Sequence, residues 1–430
     1  MKIIIDGHNL GLKNPTGIGV YALNLASNLN ALDFDISVLY AMLNNKDKEI
    51  NNIQFFQELA NKGEASSHGI LRWAYHGLPY YISQLFLKKI SPTQIIDNYN
   101  LEIKGLNRNI PKNASIYNLP YLYRVSQAYA AISKKNLQID LDNFDVMHLT
   151  LPLPISVNKK KTKKVVTVHD VIPLKFPSST SVNLKHYHNI LTASLADADL
   201  IFTVSEKSKN DLMEFMNIPD KKIHVTYQSS FIPDELKKLS EDRIQTILER
   251  YNLKYKNYFI FYGAIEPKKN VLRLLQAFSK ARTNCKLVVL GKNGWLFENE
   301  ESFFKSNKTN KIVRINYSDF YDMMTLLKGS KALIFPSIYE GFGLPVLEAM
   351  QMNIPVITSN SSCLPEVAGN AARYVDPYSI SEIIDAIEDF SNTSDLSAYS
   401  EKGLKQAEKF SEENYQKRLR EGYNMLFKQF

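Results

Sequence analysis

Apolar residues fall in short unbroken runs separated by stretches with helical spacing, and the two alternate along most of the chain. Short apolar runs bounded by turn residues predict buried strands, and the alternation predicts parallel sheets covered by helices. The first half places strands at 2–6, 35–40, 146–149, 165–169, 200–204 and near 224–227. The second half repeats the pattern at 258–262, 286–290, 312–314, 332–335, 355–358 and 372–375. A seam lies near 228–233, where Asp234 opens a charged helical segment. From Ser411 onward, Tyr415, Leu419, Tyr423 and Leu426 recur at helical spacing, which predicts a terminal amphipathic helix.

A chain of 430 residues is too long for one core and suits two units of roughly 200 residues each. The expected division is an α/β domain over 1–230, a second over 231–410 and a closing helix over 411–430. With 44% hydrophobic and 22% charged residues the chain has the makings of ordinary globular cores. The run Met1-Lys2-Ile3-Ile4-Ile5-Asp6 reads as a first strand, too short for a signal sequence. No stretch reaches the roughly 18 apolar residues that a membrane span requires. Cys285 and Cys363, far apart, suggest neither a disulfide framework nor a metal site, and this suits a reducing cytoplasm.

A formal charge of +8 calls for an anionic partner: nucleic acid, a nucleotide sugar or an acidic membrane surface. Nucleic acid is disfavoured, because the basic residues are scattered and no recognised nucleic-acid motif accompanies them. The lysines at 159–161, 163 and 164 read as a solvated loop before a strand, with membrane phosphate contact as the second reading. Residues 42–140 break the rhythm, and windows such as 69–81 and 118–124 mix aromatic, aliphatic and basic residues. Packing on the sheet is the favoured reading, and a membrane-surface helix or acceptor groove the alternative.

The densest chemistry lies in Phe335-Pro336-Ser337-Ile338-Tyr339-Glu340-Gly341-Phe342-Gly343-Leu344-Pro345-Val346-Leu347-Glu348-Ala349-Met350. Its composition reads strand, glycine turn, helix. Gly341 and Gly343 let backbone approach a ligand, and Pro345 in the first helical turn leaves amides and the helix dipole aimed at an anion. A phosphate suits that position. Glu348, one turn further on, can reach a polyol such as a ribose, and Glu340 faces whatever lies beyond the phosphates. Taken singly, both would read as solvated carboxylates. Together with its neighbours the pair resembles, almost residue by residue, the signature of glycosyltransferase family 4: two glutamates seven residues apart. That family comprises retaining nucleotide-sugar enzymes of GT-B fold, with two facing Rossmann-like domains. The resemblance implies that 231–410 mainly holds the donor, 1–230 the acceptor, and that the helix of 411–430 crosses back onto the first domain.

Further segments resemble the same family. Pro15-Thr16-Gly17-Ile18-Gly19-Val20-Tyr21 puts a glycine pair between the first strand and a helix, where an α/β sheet admits a diphosphate. The third glycine of a dinucleotide fingerprint is missing, so a dehydrogenase is disfavoured. The run looks like the family's Thr-Gly-Ile-Gly-x-Tyr loop in enzymes using mannose-type donors. Val168-His169-Asp170-Val171-Ile172-Pro173-Leu174 is similar to its His-Asp-x-Ile-Pro-Leu segment. From the residues alone His169 is either a crevice ligand or a loop histidine bonded to a backbone carbonyl. The resemblance implies a bond to the donor sugar, with the His169 carbonyl toward the anomeric centre. Gly263-Ala264-Ile265-Glu266-Pro267-Lys268-Lys269-Asn270 resembles a phosphate clamp in which Lys269 takes the diphosphate. Many relatives carry Arg directly after that glycine, whereas this chain has Ala264, so Lys268 is expected to substitute or the donor to be held less tightly. Cys363 reads as a small buried residue and not a nucleophile, and Glu366 as structural or as a neighbour of the donor site. Asp140-Leu141-Asp142 and Asp197-Ala198-Asp199 invite a metal reading, which is disfavoured because lysines and helix dipoles already neutralise a diphosphate.

The resemblance implies a retaining hexosyltransferase without metal or other cofactor, cytoplasmic and peripheral on the inner membrane face. GDP-mannose leads as donor, with UDP-sugars behind, and the acceptor is expected to be a lipid-linked glycan of bacterial surface polysaccharide or lipopolysaccharide. The site would comprise Glu340, His169 and Lys269 with Gly17, Gly19, Lys268, Gly341, Phe342, Gly343, Leu344 and Glu348. A nucleotide-sugar epimerase or hydrolase and an inactive carbohydrate-binding scaffold are the alternatives.

Overall fold

A computed structural model describes residues 1–10, 17–42, 90–95, 110–111, 113–180, 182–306 and 310–427. In the first lobe the strands are β1 (Lys2–Asp6), β2 (Asp35–Tyr40), β3 (Thr93–Ile95), β4 (Ser115–Asn118), β5 (Leu137–Gln138), β6 (Val146–Leu149), β7 (Ile155–Ser156), β8 (Lys163–Val168), β9 (Leu200–Thr203) and β10 (Ile223–Val225). Eight of them form one sheet in the order β10-β9-β8-β6-β1-β2-β4-β3, and β5 pairs with β7. All pairings in the large sheet are parallel except β3 with β4.

The second lobe holds β11 (Tyr258–Tyr262), β12 (Lys286–Leu290), β13 (Ile312–Ile315), β14 (Ala332–Phe335), β15 (Val356–Ser359) and β16 (Ala372–Val375). Their order is β13-β12-β11-β14-β15-β16, parallel throughout. The first three strands build outward in one direction and the next three in the other, so the order reverses between β11 and β14. Loops leaving the carboxyl ends of those two strands diverge and open a crevice.

The two sheets agree with the alternation read from the sequence. β3, β4, β5 and β7 were not expected. They are two to four residues long with polar or half-buried positions, too short for an apolar run. In window 118–124, Leu119, Leu122 and Tyr123 are buried, and the Tyr123 hydroxyl donates to the Leu39 carbonyl while accepting from the Gly7 amide at 2.9 Å. That segment packs on the sheet; window 69–81 lies outside the described residues. The lysine reading needs correction at its end. β8 begins at Lys163, and Lys164 is fully buried, its ammonium 2.6 Å from Asp197 and 2.8 Å from the Ser194 carbonyl.

The last helix, Glu412–Met425, is capped by Ser411, whose hydroxyl accepts from the Asn414 amide at 3.3 Å. It returns to the first lobe, packing on the helix Gly17–Ala31 and burying Tyr415, Leu419 and Tyr423. The Tyr423 hydroxyl bonds His148, and burial drives that imidazole's pKa down to about 3, so it is neutral. Among the described residues no helix is long and apolar enough to cross a membrane.

Candidate active site

The crevice at the order reversal is built from two loops. After β11, Gly263 adopts φ 142, the 3-10 turn Pro267–Lys269 follows, and left-handed Asn270 starts the helix Val271–Lys280. Asn270 Nδ2 donates to the carbonyls of Pro336 (3.0 Å) and Pro377 (2.6 Å), and the Ile338 amide donates to the Lys268 carbonyl at 2.7 Å. These bonds pin the loop after β14 against the loop after β11. Lys269 Nζ consequently sits 2.7 Å from Glu340 Oε1, both side chains largely buried. Burial would raise the Glu340 pKa, but Lys269 and Lys268 outweigh it and hold the carboxyl below its ordinary value. Burial likewise opposes protonation of Lys268, and there Glu340, Asp170 and Glu266 win and raise its pKa. Lys268 and Glu340 therefore stay charged inside a low-dielectric crevice.

Glu348 has the opposite environment. It is buried on the helix Leu344–Gln351, accepting from the Tyr262 hydroxyl at 2.7 Å and from the Ser230 hydroxyl at 3.2 Å. Burial pushes its pKa up to about 7 against those two bonds. Gly343 caps that helix at φ 98, and a Cβ there would meet Leu364 at 2.7 Å, so glycine is required by conformation and by space. Gly341 is required by the close approach of the other lobe. A Cβ there would lie 2.5 Å from the His169 carbonyl oxygen, so its bareness admits the opposing lobe. The Phe342 ring is buried against Phe410, centroids 5.5 Å apart.

From the first lobe, β8 delivers His169 to the same crevice. Its Nε2 lies 2.9 Å from the Thr150 carbonyl and its ring meets Tyr21 edge-on at 4.6 Å. Burial lowers its pKa against the help of Thr150 and Asp170. A neutral ring that donates from Nε2 leaves Nδ1 as an acceptor. The His169 carbonyl accepts from the Ser208 hydroxyl at 2.7 Å and abuts Gly341, so its neighbour is the opposing loop. Gly17 and Gly19 lie inside the first turn of Gly17–Ala31 instead of in a loop before it. Gly19 is buried and Gly17 is exposed with open space around its Cβ position, while Pro15 and Thr16 lie outside the described residues.

Asp197 is engaged by Lys164, and Asp142 by Lys161 at 2.9 Å. Cys363 is buried, its thiol pushed up by burial and by Glu340, and its Sγ lies 3.2 Å from the Glu340 carbonyl and 3.1 Å from the Phe342 carbonyl, either of which can take its one proton. Glu366 accepts from the amides of Glu206 (2.8 Å) and Lys207 (3.4 Å), joining the lobes as a structural cap.

Sequence reasoning missed Tyr262, Ser230, Ser205, Ser208, Asp211 and Tyr339. A capping serine just before a helical pattern flagged Ser205 in principle. Asp211 pairs locally with Lys207, four residues earlier, and Ser208 with Ser205, but the contacts that bring these residues to the site come from distant parts of the chain.

The crevice thus lies between two lobes built on largely parallel sheets and gathers Lys269 and Glu340 from one and His169 from the other. Residues 244–417 match the family described as Glycosyl transferases group 1, and residues 99–228 match Glycosyltransferase Family 4. O-antigen chain mannosyltransferase B of Escherichia coli is 31% identical over 280 residues, which are 61% of this chain and 71% of that protein. O-antigen chain mannosyltransferase RfbU of Salmonella typhimurium is 27% identical over 256 residues, 57% of this chain and 66% of that one. The structure of HepE from Anabaena in complex with UDP and glucose aligns at a TM-score of 0.66, over 99% of each chain, with 12% identity. The chain belongs to glycosyltransferase family 4 and is a glycosyltransferase of GT-B fold.

Proposed function

We propose that this enzyme moves mannose from GDP-mannose to a hydroxyl of a lipid-linked glycan during assembly of bacterial surface polysaccharide, with retention at the anomeric carbon. The observation carrying the site reading is the buried Lys269–Glu340 pair in the loops after β11 and β14, next to the point where Gly341 meets the His169 carbonyl. The names of the two mannosyltransferase relatives support the choice of sugar.

In this reading the diphosphate lies against Lys269, Lys268 and the amides around Gly343 and Leu344, where lysine charge and the helix N-terminus stabilise the departing phosphate. Lys269 has three protons and can serve Glu340 and a phosphate together. Glu340 accepts from hydroxyls of the sugar, His169 Nδ1 from another, and ionised Glu348 from the ribose. Gly17 and Gly19 border the diphosphate from the first lobe. The acceptor hydroxyl attacks from the leaving-group side, its proton passing to the departing phosphate, so catalysis rests on positioning and charge stabilisation. No metal has a role in this scheme. The basic first lobe rests on the inner membrane surface, near the acceptor.

A panel of nucleotide sugars, read by nucleoside diphosphate release with extracted lipid-linked glycan, tests the assignment. Turnover with GDP-mannose that persists in EDTA is expected. Turnover with UDP-glucose and none with GDP-mannose would reject the donor.

A further inference from the structure

The helix Glu206–Met216 of the first lobe meets the second lobe along one face, through Ser205 at its cap, Ser208 and Asp211. What it touches is the pair of residues flanking Glu340. Each serine has one proton, and each has a carbonyl at 2.7 Å: Ser205 Oγ donates to Gly341, and Ser208 Oγ donates to His169. The Ser208 amide donates to Ser205 Oγ at 3.0 Å, which fixes both hydroxyls. On the other side of Glu340, the Tyr339 hydroxyl donates to Asp211 Oδ2. Asp211 Oδ1 accepts from Lys175 and Lys207, each at 2.8 Å. Burial alone would raise the Asp211 pKa, but Lys175, Lys207 and Tyr339 lower it below the ordinary value. Tyr339 therefore donates to an anion, a charge-assisted bond of the stronger kind. Its ring is buried beside Phe176, centroids 5.2 Å apart.

We infer that this helix face is a positioning device: by gripping Tyr339 and Gly341 it sets Glu340 against His169, so the carboxylate is in register when the lobes meet. The Ser205–Gly341 and Tyr339–Asp211 bonds join opposite lobes and break together when the lobes separate, whereas Ser208 holds the His169 carbonyl within the first lobe. Ser205, Ser208, Asp211 and Tyr339 act through Glu340 and His169 and are positioning residues. The inference rests on the proposed role of Glu340 at the donor sugar.

The test uses the full chain with the donor and acceptor that the panel identifies. Tyr339→Phe and Ser208→Ala each remove a hydroxyl and little else. Tyr339→Phe is expected to lower kcat by about 10- to 100-fold, with the donor KM, calorimetric affinity for the nucleoside diphosphate and thermal midpoint near those of the parent. Tyr339→Phe combined with Asp211→Asn is expected to lose no more than the worse single variant, because both cut one bond. If Tyr339→Phe and Ser208→Ala keep kcat within about twofold while Glu340→Gln is inactive, the inference fails and the site reading stands. If thermal midpoint and diphosphate affinity fall in step with kcat, the contacts serve folding alone and the inference also fails. Full activity of Glu340→Gln removes the site reading and, with it, this device.

Discussion

Glu340 and Glu348 belong to one motif, yet their surroundings push their protons in opposite directions. Glu340 is held ionised by Lys269 and Lys268, whereas Glu348, bonded to the hydroxyls of Tyr262 and Ser230, is raised to about 7 by burial. A raised folded-state pKa favours the protonated fold. Its stabilisation is present in full below the ordinary glutamate value of 4.5 and disappears as pH climbs through about 7. Two and a half units correspond to about 3 kcal/mol. Glu348→Gln should accordingly reduce the decline in melting temperature between pH 5 and 8, measured by differential scanning fluorimetry. Donor affinity should move the other way and tighten as Glu348 ionises, with the variant binding about 10-fold weaker above neutrality. Matching pH profiles in parent and variant would refute the assignment. Glu340, Lys269 and His169 stood out through the family resemblance of their segments, since taken singly the carboxylate reads as solvated and the histidine equally as a loop residue. Tyr262 and Ser230 did not, since they reach Glu348 across 86 and 118 residues, and a one-dimensional pattern carries no trace of such contacts.

At the scale of elements, the apolar runs located the core strands well, because a buried parallel strand must be apolar on both faces. The short edge strands lacked that requirement and left no run, and Lys164 escaped notice because its burial depends on Asp197, 33 residues away. The terminal helix was legible from spacing alone, and its return to the first lobe was expected from the family resemblance, but the residues that receive it were not. Gly422 fixes that landing: a Cβ there would sit 2.7 Å from His224 Cδ2 and from the Phe202 ring. The adjoining bond from His224 to the Arg418 carbonyl, at 2.8 Å, holds the helix too closely for a larger residue. Gly422→Leu is expected to cost about 1–3 kcal/mol and to speed hydrogen exchange across 412–425, while Arg420→Ala on the exposed face changes neither. Unaltered exchange in Gly422→Leu would show that the helix does not depend on this close packing.

For the whole molecule, the doubled strand pattern announced two sheets but not how they face each other. That arrangement is written in a few contacts between lobes. Glu366 caps the helix at Glu206, Trp295 Nε1 donates to the Ser179 carbonyl at 2.8 Å, and Gly341 lies against His169. The last is the most sensitive, because a Cβ at Gly341 would stand 2.5 Å from a backbone oxygen and 3.2 Å from its carbon, neither of which can rotate away. Gly341→Ala must therefore hold the lobes apart by several tenths of an ångström or more. Lys268, Lys269, Gly343 and Leu344 all belong to the second lobe and only Gly17 and Gly19 border the diphosphate from the first, so affinity for a nucleoside diphosphate should fall by no more than about threefold. Catalysis needs both lobes, and kcat should fall at least about 10-fold, given how steeply rate depends on placement within an ångström. Gly343→Ala makes the counterpart: its strain, at φ 98, lies wholly inside the second lobe and should weaken diphosphate binding first. Calorimetry with the diphosphate beside steady-state rates separates the two variants. Equal losses of affinity and rate in both would mean that the crevice works as one rigid cup, with no division of labour between its walls.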